Sequence, residues 1–216
     1  MKPFKPPVAA ATRAIIVVCV VIQLVLTFAG PRFAAAAGVV FGLIPARLVA
    51  GTAAGDVAQP FTLITSLFMH GGWAHLALNL LFLAWVGRAV EWALLPARFV
   101  ALYLASGIAG GLLQVATDPH SAGVVVGASG AIAGVFGAYA VLFARSRARG
   151  RSVLGVEVSS EALTALWYAA TWIGLQLLTG LASGGPGGQG IAIWAHIGGF
   201  VTGLIFAQPF VRGPKV

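Results

Sequence analysis

Charge is scarce in this chain. Asp, Glu, Lys and Arg make up 8% of 216 residues, where an ordinary soluble domain carries roughly 25%. So little charge cannot clothe a water-exposed surface, and a soluble globule is excluded. Acids are rarest, five in all, which leaves few candidates for chemistry built on paired carboxylates. There is one cysteine, Cys19, so neither an intrachain disulfide nor a cysteine-based metal site can form. Lying within an apolar run, it reads as a small core or lipid-facing residue. The net charge of +8 does not point to nucleic acid either, because the 13 Lys and Arg are scattered between apolar segments and gather on no amphipathic face.

What is abundant is apolar length. The composition is 59% hydrophobic and the mean hydropathy is +0.96, as expected of one unit embedded in lipid. Apolar runs bounded by charge, proline or glycine clusters predict membrane helices near residues 13–29, 73–94, 97–116, 128–145, 161–182 and 191–210. The expected fold is an all-α, polytopic bundle, with a six-helix domain at residues 13–210 between tails at 1–12 and 211–216. Lys2, Lys5 and Arg13 ahead of an apolar stretch, then alanines at 34–37, give the N-terminus the look of a secretory signal. The apolar segments downstream favour an uncleaved first span. Residues 30–73 carry Pro31, Pro45 and Pro60 and predict broken or interfacial structure instead of a clean span.

Lys and Arg collect in the cytoplasmic loops of membrane proteins. With the N-terminus inside, the inner segments hold Lys2, Lys5, Arg13, Arg88, Arg98, Arg145, Arg147, Arg149, Arg151, Arg212 and Lys215, and the outer ones only Arg32 and Arg47. Both tails are therefore expected in the cytoplasm, and the short basic loops suit a bacterial inner membrane. The pairs Gly107/Gly111, Gly130/Gly134 and Gly199/Gly203 have the small-xxx-small spacing that lets helix backbones approach. The third, fourth and sixth spans are expected to pack together.

A strongly polar side chain inside a bilayer is costly, so each one is a functional candidate. His75 and Asn79 lie in the second span, Ser129 opens the fourth and His196 lies in the sixth. Gln23, Gln114 and Gln176 read as amides hydrogen-bonding between helices. Ser129 stands in Gly127-Ala128-Ser129-Gly130, where an outer loop turns into a helix. The glycines admit another backbone, and the helix end offers unpaired N–H donors to a developing oxyanion. Alone this motif is weak, because Ala131 breaks the fuller G-x-S-x-G elbow. His196 strengthens it, since the fourth and sixth spans enter from the same outer face and bring both side chains to similar depth. A neutral imidazole there can take the serine proton and return it to a leaving amine.

The map places none of the acids, Asp56, Glu91, Asp118, Glu157 and Glu161, inside an apolar span near His196, so the pair is a dyad and not a triad. His75 and Asn79, four apart, share a helix face and can aim donors at the same oxyanion; their other reading is structural hydrogen bonding between helices. His70 reads as a residue shaping the turn into that span. A zinc site of His70, His75 and His196 lacks an H-E-x-x-H or a further inward carboxylate, so neither metal nor cofactor is expected.

Three separated segments resemble the rhomboid family of intramembrane serine proteases: HGGWAHLALN at residues 70–79, GASGAIAG at 127–134 and AHIGGFVTG at 195–203. Their order and placement agree with the six-helix rhomboid core, over about residues 13–210. The resemblance implies Ser129 as nucleophile, His196 as general base and acid, and an oxyanion hole formed by His75, Asn79 and the Ser129 backbone. Gly127, Gly130, Gly199 and His70 are expected in support. It implies single transmembrane helices as substrates, cut near their outer end at small residues, so the partners are membrane proteins and the lipid bilayer. The glycine-rich residues 183–190 are a candidate cap over the site. Two features depart from the family. The aromatic residue often found four positions after the serine is Ala133 here, and the Trp-Arg pair of the first outer loop is missing, with Arg47 the candidate to serve that loop.

Two other classes stay open. One is a small transporter or proton relay in which His75, Asn79 and His196 line a polar path; it has no need of a glycine-flanked serine at a helix N-terminus, and no inverted repeat is detectable. The other is a catalytically silent chaperone of membrane helices, which would tolerate loss of the serine.

Overall fold

Lipid offers the backbone no hydrogen-bonding partner, so an apolar chain must pair its own N–H and C=O groups, and helices do this within one segment. The computed structural model describes residues 9–51, 58–143, 151–153, 156–158, 163, 167, 170–171, 174 and 192–211. The helices are α1 (Ala10–Ala29), α2 (Pro31–Phe41), α3 (Pro45–Ala50), α4 (Thr62–Thr65), α5 (Trp73–Phe82), α6 (Arg88–Leu94), α7 (Pro96–Thr117), α8 (Ser129–Phe143) and α9 (Ile193–Val211). A π-helical turn, Leu83–Gly87, joins α5 to α6 in one continuous run, Trp73–Leu94. That run, α1 and α7 are each long and apolar enough to cross a membrane, while α2 and α8 are apolar but shorter.

Helices thus stand where spans were expected near 13–29, 73–94, 97–116, 128–145 and 191–210. The expected span at 161–182 lies largely outside the described residues, although Leu163, Trp167, Ala170, Thr171 and Gly174 within it are helical. Residues 30–73 are broken as anticipated. Pro31 and Pro45 each open a short helix and Pro60 lies in a 3-10 turn, Gln59–Phe61, positions where a missing N–H removes no helical bond. The chain departs from a purely helical expectation at one place, where β1 (Arg151–Val153) pairs antiparallel with β2 (Val156–Val158), Val153 opposite Val156. Within it Val156-Glu157-Val158 alternates β-branched with polar residues, a period of two that suits a strand.

The interior is built on α7, α8 and α9. A side chain at Gly199 would run into the Gly130 carbonyl, and one at Gly203 into the Gly134 carbonyl, so α8 and α9 touch backbone to backbone. Gly110 of α7 faces the Ala195 carbonyl in the same way. The pair Gly107/Gly111 serves differently, receiving the side chains of Leu67, Leu63 and Leu43. Cys19 is fully buried in the main apolar cluster with Phe99, Leu102 and Tyr103, which settles its two readings in favour of the core.

At the other end of the bundle from Ser129, the buried carboxylate of Glu91 accepts the backbone N–H groups of Ala11 (2.9 Å) and Thr12 (2.8 Å) and the Thr12 hydroxyl (2.7 Å). The N-cap residue of α1, Ala9, makes no side-chain cap bond. Glu91 therefore supplies the cap from a neighbouring helix, its negative charge set against the positive end of α1. Hydrogen bonds to a charged group contribute about 1.5–3 kcal/mol each. Glu91→Ala should lower the unfolding free energy in detergent by about 3 kcal/mol and Glu91→Gln by less; equal stability of Glu91→Ala and the parent chain would contradict the cap.

Candidate active site

The segment that leads into α8 is tied down along its length. Val125 forms an antiparallel bridge with Leu43, N–H to carbonyl distances being 3.0 and 2.8 Å, and the Ala46 N–H donates to the Ser121 carbonyl at 3.0 Å. The Gly127 N–H donates to the Ser66 carbonyl at 2.9 Å. Beneath it, the Arg47 guanidinium donates to the Val39 carbonyl (2.8 Å) and the Thr65 hydroxyl to the Phe41 carbonyl (2.6 Å). Arg47 thus ties α3 back to α2.

Gly127 has φ +130°, a conformation that L side chains avoid. A Cβ there would lie 2.8 and 2.9 Å from Cε1 and Nε2 of His75 and 3.7 Å from the Ser129 Oγ. The His75 ring and the Ser129 hydroxyl therefore face one another across a bare α-carbon. Ser129 is the first residue of α8, where the N–H groups of the opening turn have no partner within the helix.

His196 lies one turn into α9, buried, with Nε2 2.7 Å from the Ser129 Oγ. With the ring proton on Nδ1, Nε2 accepts the serine hydroxyl's hydrogen bond. The contact depends on the close fit of α8 on α9, where Gly130 meets the Ala195 carbonyl and Gly199 the Gly130 carbonyl.

His75 is half-buried in the first turn of α5, and Asn79, buried, follows four residues later. The Asn79 amide donates to the His75 carbonyl at 3.0 Å, which leaves a second N–H on the same nitrogen. His70 is buried with its ring edge-to-face against His75, centroids 5.2 Å apart at 71°. Neither His70 ring nitrogen makes a hydrogen bond among the described residues.

The structure thus brings together Ser129, His196, His75, His70, Gly127, Gly130 and Gly199, and sets Asn79 one turn along from His75. Glu91 is spent on capping α1 at the far end, and Asp118 ends α7. Among the described residues no three His, Cys, Asp or Glu side chains are grouped to hold a metal ion. The buried amide oxygens of Gln23 and Gln114 make no hydrogen bond there, a correction to the expected bonds between helices. Gln176 and the candidate cap at 183–190 lie outside the described residues. Sequence reasoning passed over Gly110 and Ser106. The Ser106 hydroxyl is fully buried at the junction of α7 with Gly134 and Gly199 and has no hydrogen-bond partner among the described residues. Its place beside a run of glycines was the available signal.

Apolar helices of membrane-crossing length define an integral membrane protein. A sequence model of the Rhomboid domain matches residues 57–213, and the chain belongs to the rhomboid family. It is similar to YdcA of Bacillus subtilis (38% identity over 109 residues, 50% of this chain and 51% of YdcA). It is also similar to the rhomboid protease GluP of the same organism (45% over 76 residues, 35% and 14%). Rhomboid-like protease 5 of Toxoplasma gondii matches at 28% over 161 residues, 73% of this chain and 17% of that protein. The chain spans about half the length of YdcA and much less of the other two.

Two outcomes follow from this geometry. Gly127→Ala should displace the His75 ring while leaving the bundle folded. If the site acts as proposed below, turnover should fall by about 10² with KM little changed; steady-state kinetics at unchanged turnover would show that the bare α-carbon is not needed.

The second concerns acid. Burial, helped by the neighbouring His75, pushes His70 down from 6.5 to about 3. Below about pH 6.5 the unfolded chain takes up a proton at His70 that the native chain refuses, so stability should decline as pH falls from 6.5 towards 3. His70→Phe should lose less stability over that range in detergent unfolding; an identical pH profile would remove His70 from the account.

Proposed function

We propose that this chain is an intramembrane serine endopeptidase that cleaves transmembrane helices of membrane-protein substrates through a Ser129–His196 dyad, without metal or cofactor. The observation that carries the reading is the 2.7 Å contact between His196 Nε2 and Ser129 Oγ at a helix N-terminus, in a member of the rhomboid family.

In this mechanism Ser129 Oγ attacks the scissile carbonyl as its proton passes to His196 Nε2. The tetrahedral oxyanion is met by the N–H groups at the start of α8, by His75 across Gly127 and by the second N–H of Asn79. Collapse breaks the C–N bond, and the leaving amine takes the proton from His196. Water then gives a proton to His196 and attacks the acyl ester, releasing the new carboxyl end and restoring the serine. A helical substrate hides its peptide bonds, so cleavage needs a segment that unwinds, and small residues near the outer end suit this.

The reading includes a single six-helix domain at 13–210, with residues 161–182 as the fifth span and both tails in the cytoplasm of a bacterial inner membrane. Supporting this orientation, Arg13, Arg88 and Arg98 lie near the Glu91 end of their helices, and Arg32 and Arg47 lie in the segment that braces the serine loop. A transporter or relay has no use for a nucleophile poised on an imidazole. A silent chaperone remains the instructive alternative, and the same assay separates it.

Purified protein in liposomes should cut a transmembrane substrate with a helix-breaking outer half, and Ser129→Ala and His196→Ala should each abolish cleavage. Asn79→Ala should slow turnover by about 10² with the fold intact. Persistent cleavage by Ser129→Ala would defeat the mechanism, substrate binding without cleavage by the parent chain would mark a chaperone, and an unchanged rate in Asn79→Ala would remove that amide from the oxyanion hole.

A further inference from the structure

We propose that His70 is a positioning residue, whose ring edge holds the His75 imidazole against Gly127 and so beside Ser129. The inference rests on the oxyanion role given to His75 above and adds what keeps that ring in place.

His75 needs such a support. It is half-buried in the first turn of α5, where a side chain has more than one rotamer open to it. Its ring meets the α-carbon of Gly127 and also the ring of His70, 5.2 Å away and at 71°, the edge-to-face geometry that aromatic rings favour. Its backbone is held from below by the Asn79 amide on its carbonyl.

Both walls hang from one turn. The Ser66 carbonyl accepts the Gly127 N–H at 2.9 Å and the Met69 N–H at 3.3 Å, and His70 follows Met69 directly. Ser66, Met69 and His70 are all buried. Gly127 and His70, the two neighbours of the His75 ring, are thus both tied to the Ser66 turn.

Towards His75, what His70 offers is shape: the contact between them is ring to ring. Neither ring nitrogen has a hydrogen-bond partner among the described residues. Burial holds the ring neutral, with its pKa near 3, so no charge is set against His75. A phenyl ring can replace such a group, and a methyl cannot. Without the ring, His75 can swing away from Gly127; the transition state then loses a donor that the bound substrate does not need, which lowers kcat and spares KM.

The test compares the full chain with His70→Phe and His70→Ala in detergent, reading kcat and KM on a transmembrane substrate. His70→Ala should lose about tenfold in kcat at unchanged KM, and His70→Phe should stay within about twofold of the parent. A His70→Ala protein as fast as the parent, or a His70→Phe protein as slow as His70→Ala, overturns the proposal. Where His70→Ala does not fold, His70→Leu takes its place, since it refills the volume without a ring edge.

A second readout does not depend on cleavage. In protein labelled with ¹⁵N-histidine, the His75 ring signals should shift or broaden in His70→Ala and stay in place in His70→Phe; unchanged signals in both overturn the positioning role. A parent chain that cleaves nothing, or a Ser129→Ala protein that cleaves as well, counts against the proteolytic reading, and the ring signals still decide the role of His70.

Discussion

Inside a bilayer an apolar side chain gains nothing by leaving lipid for protein, so helices associate where their backbones can come close. Here that contact is between α8 and α9, with Gly199 over the Gly130 carbonyl and Gly203 over the Gly134 carbonyl. Two such contacts one turn apart fix both the sliding and the rotation of α9. A slip of one residue would carry His196 about 1.5 Å along the axis and about 100° around it, away from Ser129. Phe200 would then replace Gly199 against Gly130 or, in the other direction, Thr202 would replace Gly203 against Gly134, and neither fits where a methyl group would already collide. The 2.7 Å hydrogen bond is therefore a consequence of helix packing before it is a feature of the site.

A second scaffold, separate from the first, places the remaining polar groups. Gly127 is hung from Ser66, and Val125 from Leu43, so the approach to Ser129 is held by Leu43, Ala46 and Ser66 and not by α9. His75 and Asn79 ride on the run Trp73–Leu94, whose far end is locked to α1 by Glu91 and by Thr12 packing at 3.2 Å from where a side chain on Gly87 would begin. Gly87 closes the π-turn, and the missing side chain there admits Thr12 at the widest part of the helix. A carboxylate distant from the serine thus fixes the rod that carries the proposed oxyanion donors.

Much of this was legible from the chain. Polar groups stand out where the surroundings are apolar, which is why Ser129, His196, His75, Asn79 and His70 are candidates from the sequence, and the structure brings them near one another. Glycines at a spacing of four gave the contact of α8 with α9. The choice between Gly107/Gly111 and Gly110 was not legible, because glycine spacing does not say which helix face meets backbone and which meets leucine side chains; only Gly110 faces a carbonyl. The capping role of Glu91 is not legible, since its partners, Ala11 and Thr12, are some 80 residues away in sequence. The strands at 151–158 were hidden by the arginine run before them, which reads as a loop whatever follows it.

The length of α8 joins these elements. From Ser129 to Phe143 the helix rises about 22 Å, less than the ~30 Å hydrocarbon core. In the proposed orientation, with the Phe143 end at the inner interface, Ser129 stops several ångströms short of the outer one. Its helix N-terminus and the irregular segment before it then lie at a depth where exposed backbone is forbidden. The chain tolerates this because Leu43, Ala46 and Ser66 take up backbone groups of that segment, and because α8 is buried on almost every side by protein. At that depth stands the opening turn of α8, whose N–H groups have no partner within the helix, beside a serine that an imidazole reaches. An oxyanion formed there would meet donors with no lipid or bulk water to compete, which is the condition under which such donors count most.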